Sequence, residues 1–213
     1  MRLLSFTTSG RSSLGALTAD GPGIVDLGAR LDGVEDLGDL LDQHRIDDAR
    51  TAAHGAGADH LLTDITFERV LPRPRKILCI GVNYRGRSAE YADPSDAAYP
   101  SVFVRFPDSL TGHGQPLLRP PESHQLDYEG EIVVIIGKKG RRIPEHGARE
   151  HIAGLTLGNE GTIRDWVRHA KFNVTQGKNW ESSGSLGPWM VTIDEIGDLG
   201  SLHLTTRVNG DVR

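Results

Sequence analysis

The stretch LDYEGEIVVIIG, residues 126–137, decides how the rest of the chain is read. It carries Asp127, Glu129 and Glu131 at alternate positions and ends as an unbroken apolar run. In an extended chain, side chains at i, i+2 and i+4 share one face. The three carboxylates therefore line up at the lip of a core. Their parity continues as Val133 and Ile135, and the opposite parity reads Ile132, Val134 and Ile136. Both faces beyond residue 131 are thus expected to be buried. Like charges so placed repel, and the pattern asks for a compensating group.

Around this stretch, strands dominate. Short strands are expected near residues 3–7, 15–17 and 23–26, and one amphipathic helix over about residues 37–53. LPRPRK at 71–76 carries two prolines and marks a boundary. It separates a small N-terminal domain, residues 1–70, from a second domain, residues 71–213. KILCIGVNY (76–84) reads as a buried strand and SVFVRF (101–106) as another, followed by a loop over 107–121. HIAGLTLGNE (151–160) reads as a strand or a turn into one, TIRDWVRHAKF (162–172) as a helical turn or more, and WMVTIDEIG (189–197) and HLTTRVNG (203–210) as strands. The fold class is α+β and β-rich, not a doubly wound α/β pattern. Asn209-Gly210 signals a type I′ hairpin. Its return strand, Asp211 to Arg213, is shorter than the usual length of about 5 residues, so the second domain is expected to be C-terminally incomplete.

Bulk properties exclude several classes. With 24 basic and 29 acidic residues among 213, the chain offers no general attraction for nucleic acid or an anionic membrane. No apolar run reaches the roughly 18 residues of a membrane span, and the start lacks a signal-peptide core. The single Cys79 excludes an internal disulfide framework and fits a reducing compartment. A cytoplasmic protein is the expectation.

Oxygen ligands on one strand edge suit a hard divalent cation such as Mg²⁺ or Mn²⁺. A further acid, Glu160, follows the apolar piece GLTLGN, and Lys178 lies in the glycine- and serine-rich TQGKNWESSGSLGPW. A lysine beside a metal can stabilise an enolate or move a proton. Arg164 and Asp165 are placed to pair beside the site. Taken singly, each of these residues reads as an ordinary surface or turn residue. His113 in GHG and His124, three residues before Asp127, are further base candidates, whereas Trp180 and Trp189 read as packing residues.

YEGE, GNEGTIRD and KNWESSGSLGPW, in that order and spacing, resemble the fumarylacetoacetate hydrolase superfamily, and within it the 2-hydroxyhepta-2,4-diene-1,7-dioate isomerase-like branch. The resemblance spans roughly residues 70–213. It implies a mixed β-sandwich roll, usually a homodimer, and a Mg²⁺ or Mn²⁺ ion held by Glu129, Glu131 and Glu160. Lys178 matches the active-site lysine. Glu160 and Glu181 stand where the family commonly has Asp. In NYRGRSAEY (83–91), Glu90 is kept as the acid/base candidate, but Arg87 occupies the position of a histidine that activates water in hydrolytic members. Arginine stays protonated and cannot act as that base. Arg85, Arg87 and Arg105 become candidates for a substrate carboxylate. The activity implied is a metal-dependent reaction of unsaturated 2-oxo or 2-hydroxy dicarboxylic acids through an enolate, as an isomerase or decarboxylase in aromatic-compound catabolism. A C–C hydrolase of acylpyruvate type and a non-catalytic binding relative are the alternatives.

Overall fold

The computed structural model describes residues 1–19, 21–81, 83, 100–169 and 173–213. The N-terminal strands are β1 (Arg2–Thr8), β2 (Arg11–Leu17), β3 (Gly23–Asp26), β4 (His60–Leu61) and β5 (Thr66–Phe67). β6 (Leu78–Gly81), β7 (Ser101–Val104), β8 (Leu110–Gly112), β9 (Leu126–Asp127) and β10 (Gly130–Ile136) follow. The last are β11 (Ile152–Asn159), β12 (Thr162–Ile163), β13 (Gly184–Thr192), β14 (Arg207–Val208) and β15 (Asp211–Val212). Among the described residues, four short helices join them: α1 (Leu37–Asp42), α2 (Ile46–Ala53), α3 (Arg164–Arg168) and α4 (Thr175–Lys178).

A nine-stranded sheet runs β10-β11-β13-β1-β2-β3-β4, with β5 added to β1 and β8 to β13. All its pairs are antiparallel except β8 with β13, so the sheet is mixed. It crosses residue 70 without a break, because β1 pairs with β13 through Arg2↔Val191 and Leu3↔Met190. β1 is buried on both faces. Leu3 enters a core with Leu14, Leu37, Leu40 and Met190, while Leu4 and Phe6 point the other way, against Ile24. Such double-sided burial turns period-2 alternation into a continuous apolar run.

The helix expected over 37–53 is two helices. Asp36 caps α1 by accepting from the Asp39 N–H at 3.1 Å, and Leu37, Leu40 and Leu41 form its buried stripe. His44 then takes a left-handed φ of 57°, and the Arg45 N–H bonds back to the Leu40 carbonyl. That closure ends α1 and reverses the chain before α2. At the other end, Asn209 (φ 53°) and Gly210 (φ 91°) form the turn of the β14–β15 hairpin their sequence predicts.

Two expectations of burial fail. Val134 and Ile136 on β10 are 47% and 61% exposed. On β6 and β7, Leu78, Ile80, Val102 and Val104 are all exposed, and they are paired across the ladder as Leu78↔Val104 and Ile80↔Val102. Each strand covers one face only, and on β6 and β7 that face is half-buried. A continuous apolar run does not by itself show that both faces are covered.

Candidate metal centre

One register carries the acid strand and its partner through two ladders. Gly130 faces Asn159 and Glu131 faces Gly158 in β10–β11, while Asp127 faces Thr162 in β9–β12. The interrupted step between the ladders sets Glu129 opposite Glu160. The Glu160 N–H donates to the Glu129 carbonyl at 2.8 Å, and the Glu129 N–H to the Asn159 side-chain oxygen at 3.0 Å. Sheet register thereby brings together acids separated by 31 positions in the chain.

Carboxylate oxygens of Glu129, Glu131 and Glu160 lie within 4.8 Å of one another. Asp127, the remaining acid of the quoted stretch, is not in this group. The ladder is interrupted between β9 and β10, and Asp127 accepts from Arg164 Nε at 2.8 Å. Arg164 pairs neither as expected nor at the periphery: its Nη2 lies 2.8 Å from Glu129 Oε1. Asp165 instead accepts from the Ser123 hydroxyl at 2.6 Å.

Lys178, at the end of α4, is 5% exposed. Its Nζ lies 2.9 Å from Glu129 Oε1, 3.2 Å from Glu160 Oε1 and 5.3 Å from the centre of the Phe103 ring. Gly177 makes this approach possible, since a Cβ there would strike Val167 and the Ile163 carbonyl. Thr162 completes the set by donating to Glu129 Oε1 at 2.8 Å. Burial alone would raise Glu129, but Lys178, Thr162 and Arg164 outweigh it and hold the carboxyl below its ordinary range. Glu129 is therefore an anion whose Oε1 accepts from Thr162 and lies against two cations, Arg164 and Lys178.

Glu160 is different. Its Oε1 is buried and has no hydrogen-bond partner, the one carboxylate oxygen of that kind among the described residues. The nearby lysine is close enough for charge attraction but not aligned to donate. A converging set of hard oxygens with one unsatisfied buried member fits a divalent cation. Glu129, Glu131 and Glu160 would hold it.

Cys79 and Phe103 face each other across β6–β7. Burial pushes the Cys79 thiol up to about 12, helped by the charge of Glu160 and a hydrogen bond to it. It is a neutral thiol beside the acids. Sequence reading missed it, although its parity opposite Leu78 and Ile80 was visible in KILCIG. Thr162 was missed too, and its signal was its place two residues after Glu160. Arg105 is 3% exposed, with its guanidinium turned into the protein. His113 lies edge-on to Phe67, and His124 Nδ1 lies 3.2 Å from Arg119. Neither belongs to the three-carboxylate group. Trp180 packs edge-on against Trp166. Arg85, Arg87 and Glu90 lie outside the described residues.

Fold and site together define a β-rich protein with a half-buried three-glutamate centre backed by a buried lysine. The profile described as fumarylacetoacetate (FAA) hydrolase, C-terminal, matches residues 76–213. The chain belongs to that family. It is 33% identical over 226 residues to the oxaloacetate tautomerase fahd2, mitochondrial, of Xenopus laevis, covering all of this chain and 68% of the frog protein. It is 38% identical over 156 residues to the oxaloacetate tautomerase YisK of Bacillus subtilis, covering 71% of this chain and 51% of YisK. Against most curated relatives it matches, the chain spans about half their length. Its fold is similar to a fumarylacetoacetate hydrolase from Exiguobacterium antarcticum, with TM-score 0.83 and 28% identity, covering all of this chain and 74% of that one. Relatives with enzyme names make this a member of an enzyme family. Among the described residues, no helix is long and apolar enough to cross a membrane.

Proposed function

We propose that this protein is a divalent-metal-dependent enolising enzyme that interconverts tautomers or isomers of a 2-oxo dicarboxylic acid. One observation carries the reading: three glutamates converge around a buried, unsatisfied Glu160 oxygen with Lys178 beside them. The names of the relatives, oxaloacetate tautomerases, make oxaloacetate the first substrate to try.

When bound, Mg²⁺ or Mn²⁺ supplies Lewis-acid polarisation of the 2-oxo group, which acidifies C3–H. Lys178, itself buried, offers a cationic donor where charge develops on the substrate's oxo oxygen. In a keto–enol step the C3 proton leaves and a proton reaches the C2 oxygen, so nothing is consumed. Lys178 is the group placed to deliver it at oxygen. Glu90 remains the proposed acid/base at carbon, and Arg85 and Arg87 the proposed partners of the distal carboxylate. Arg164 anchors Glu129 and Asp127, keeping the donor set in place. A 2-hydroxy dienedioate from aromatic-ring catabolism is the wider substrate class. The single cysteine supports a reducing, cytoplasm-like setting, and the apolar outer face of β6–β7 supports a homodimer.

The test is the enol absorbance of oxaloacetate followed with Mn²⁺, Mg²⁺ and a chelator. Metal-dependent acceleration that Glu129→Ala removes is the expected result. Acceleration that persists without metal, or in Glu129→Ala, sinks the proposal. Release of two acids from an acylpyruvate, with no tautomer exchange, replaces it with hydrolysis.

A further inference from the structure

Arg105 is a buried cation whose donors are spent inside the protein. Nε donates to Ser109 Oγ at 3.0 Å and Nη1 to the Gly161 carbonyl at 3.2 Å. Nη2 donates to the Ser109 carbonyl at 3.1 Å and to Ser183 Oγ at 3.0 Å. At 3% exposure it has little access to a substrate. Nor does it form an ion pair within 4 Å of a carboxylate among the described residues, although Glu160 and Glu129 both act on it through space. Leaving a guanidinium in the interior without a direct counter-ion is costly, unless its position serves the charges nearby.

What it grips is informative. Gly161 follows Glu160 directly, and Ser183 precedes β13. A Cβ at Gly161 would run into the Ser183 carbonyl, and one at Gly184 into the Asn159 carbonyl and Arg105 Nη1. The backbone at 159–161 and at 183–184 therefore meets with no side chain between, and the Arg105 fork ties the two segments to the 107–109 turn. Only a planar, multi-donor cation satisfies acceptors in three segments at once. Burial works against the charge of Arg105 and the anions Glu160 and Glu129 sustain it, so the electrostatic coupling runs toward the metal centre.

We infer that Arg105 is a positioning residue for Glu160: by holding the Gly161 carbonyl against Ser183 and Ser109 it aims the Glu160 carboxylate into the metal centre, and it does not bind the substrate. This rests on the proposed metal-binding role of the three glutamates. Lys keeps the charge but loses the fork, and outer-sphere changes of this kind cost about 10–100-fold in metal affinity.

The experiment is a double-mutant cycle on Mn²⁺ binding, measured on the full chain by titration calorimetry and by the paramagnetic resonance of free Mn²⁺. Arg105→Lys is expected to weaken binding about tenfold when Glu160 is present and less than about twofold in Glu160→Gln. Equal losses in both backgrounds would show a general structural role and overturn the inference. Unchanged Mn²⁺ affinity with a raised KM for oxaloacetate would restore a substrate-binding role and also overturn it. Should Arg105→Lys not fold, Ser183→Ala removes one of the four bonds and is carried through the same cycle, with the same two overturning outcomes. Because Mn²⁺ binding is read directly, absent tautomerase activity in the unaltered protein would count against the proposed function while leaving this result standing.

Discussion

Asp26 is a buried acid and the Glu129–Glu160 pair a half-buried one, and the two sites are built in opposite ways. Asp26 has a side chain only 3% exposed, and both of its oxygens have partners. Oδ1 accepts from Ser13 and from the Ala29 N–H; Oδ2 accepts from Arg11, with His60 3.5 Å away. Its neighbour Asp59 accepts from the Asp26 N–H and from Arg30. Nothing at Asp26 is left over for a ligand. In the centre around Glu129, a hydroxyl donor and two cations crowd onto one oxygen, while Glu160 Oε1 has no hydrogen-bond partner and only the Lys178 ammonium nearby. Saturation marks a structural acid, and the uneven distribution of donors marks one that waits for a partner.

Substitution should separate the two. Glu129→Ala has the largest expected effect. Removing a proposed ligand should weaken Mn²⁺ binding by more than about 100-fold, beyond the range of an outer-sphere change, and the proposed activity should fall with it. Lys178→Met should lower kcat by about 10²–10³, the cost of a lost donor to a developing oxyanion. Its Mn²⁺ affinity should not fall, since the ammonium competes for the same Glu129 and Glu160 oxygens. Calorimetry on each variant, beside the tautomer assay, checks both statements. A lysine variant that lost metal would place Lys178 with the ligands' scaffolding.

Asp26→Asn should do the reverse. Exchanging the carboxylate for an amide leaves buried donors without an acceptor and costs about 1–3 kcal/mol of stability. Thermal unfolding should register that loss at neutral pH, with Mn²⁺ affinity unchanged. If metal binding moved as much as stability, the contrast between the two sites would be false.

Acid should expose the same division. Asp26 and Glu129 are both held below their ordinary carboxyl range. Burial opposes this in each; Ser13, Arg11 and the Ala29 N–H outweigh it at Asp26, and Lys178, Thr162 and Arg164 at Glu129. A depressed folded-state pKa contributes stability that is complete above the unfolded value, about 4, and is lost as pH falls through the folded value. Melting temperature should therefore hold on approaching about pH 5 from above and drop below about pH 4. Asp26→Asn should flatten part of that drop. An unaltered acid limb in this variant would mean that Asp26 gains no stability from its ionised form.

The sequence carried the β-rich fold class, and the family resemblance named the side chains whose meeting the structure shows. The order of YEGE, GNEGTIRD and KNWESSGSLGPW pointed to Glu129, Glu131, Glu160 and Lys178, and the structure gathers all four. Chemistry at fixed spacing survives the loss of three-dimensional information. Asp127 did not, because parity assumes an unbroken strand and the chain leaves that geometry between β9 and β10. The pairing of Arg164 with Glu129 depends on register between segments far apart in sequence, which no local pattern encodes. His44 ends α1 through a left-handed backbone that histidine does not advertise. Arg105 shows the same limit for a side chain: its residue type fits a carboxylate, and only its surroundings reveal carbonyl and hydroxyl partners.

The smallest expected effect concerns the two faces of the antiparallel β6–β7 pair. Cys79, Phe103 and Arg105 look toward the acids, while Leu78, Ile80, Val102 and Val104 look outward. Ile80→Thr alters a residue that is 46% exposed, so it should change stability by no more than about 0.5 kcal/mol if nothing covers that face. Phe103→Ala removes the ring beneath Lys178 and should cost more in both stability and kcat. A homodimer sealed across the outer face reverses the ranking in one respect. Ile80→Thr would then lower the sedimentation coefficient toward the monomer and make the melting temperature depend on protein concentration. Measuring both variants at two concentrations separates an exposed face from a covered one.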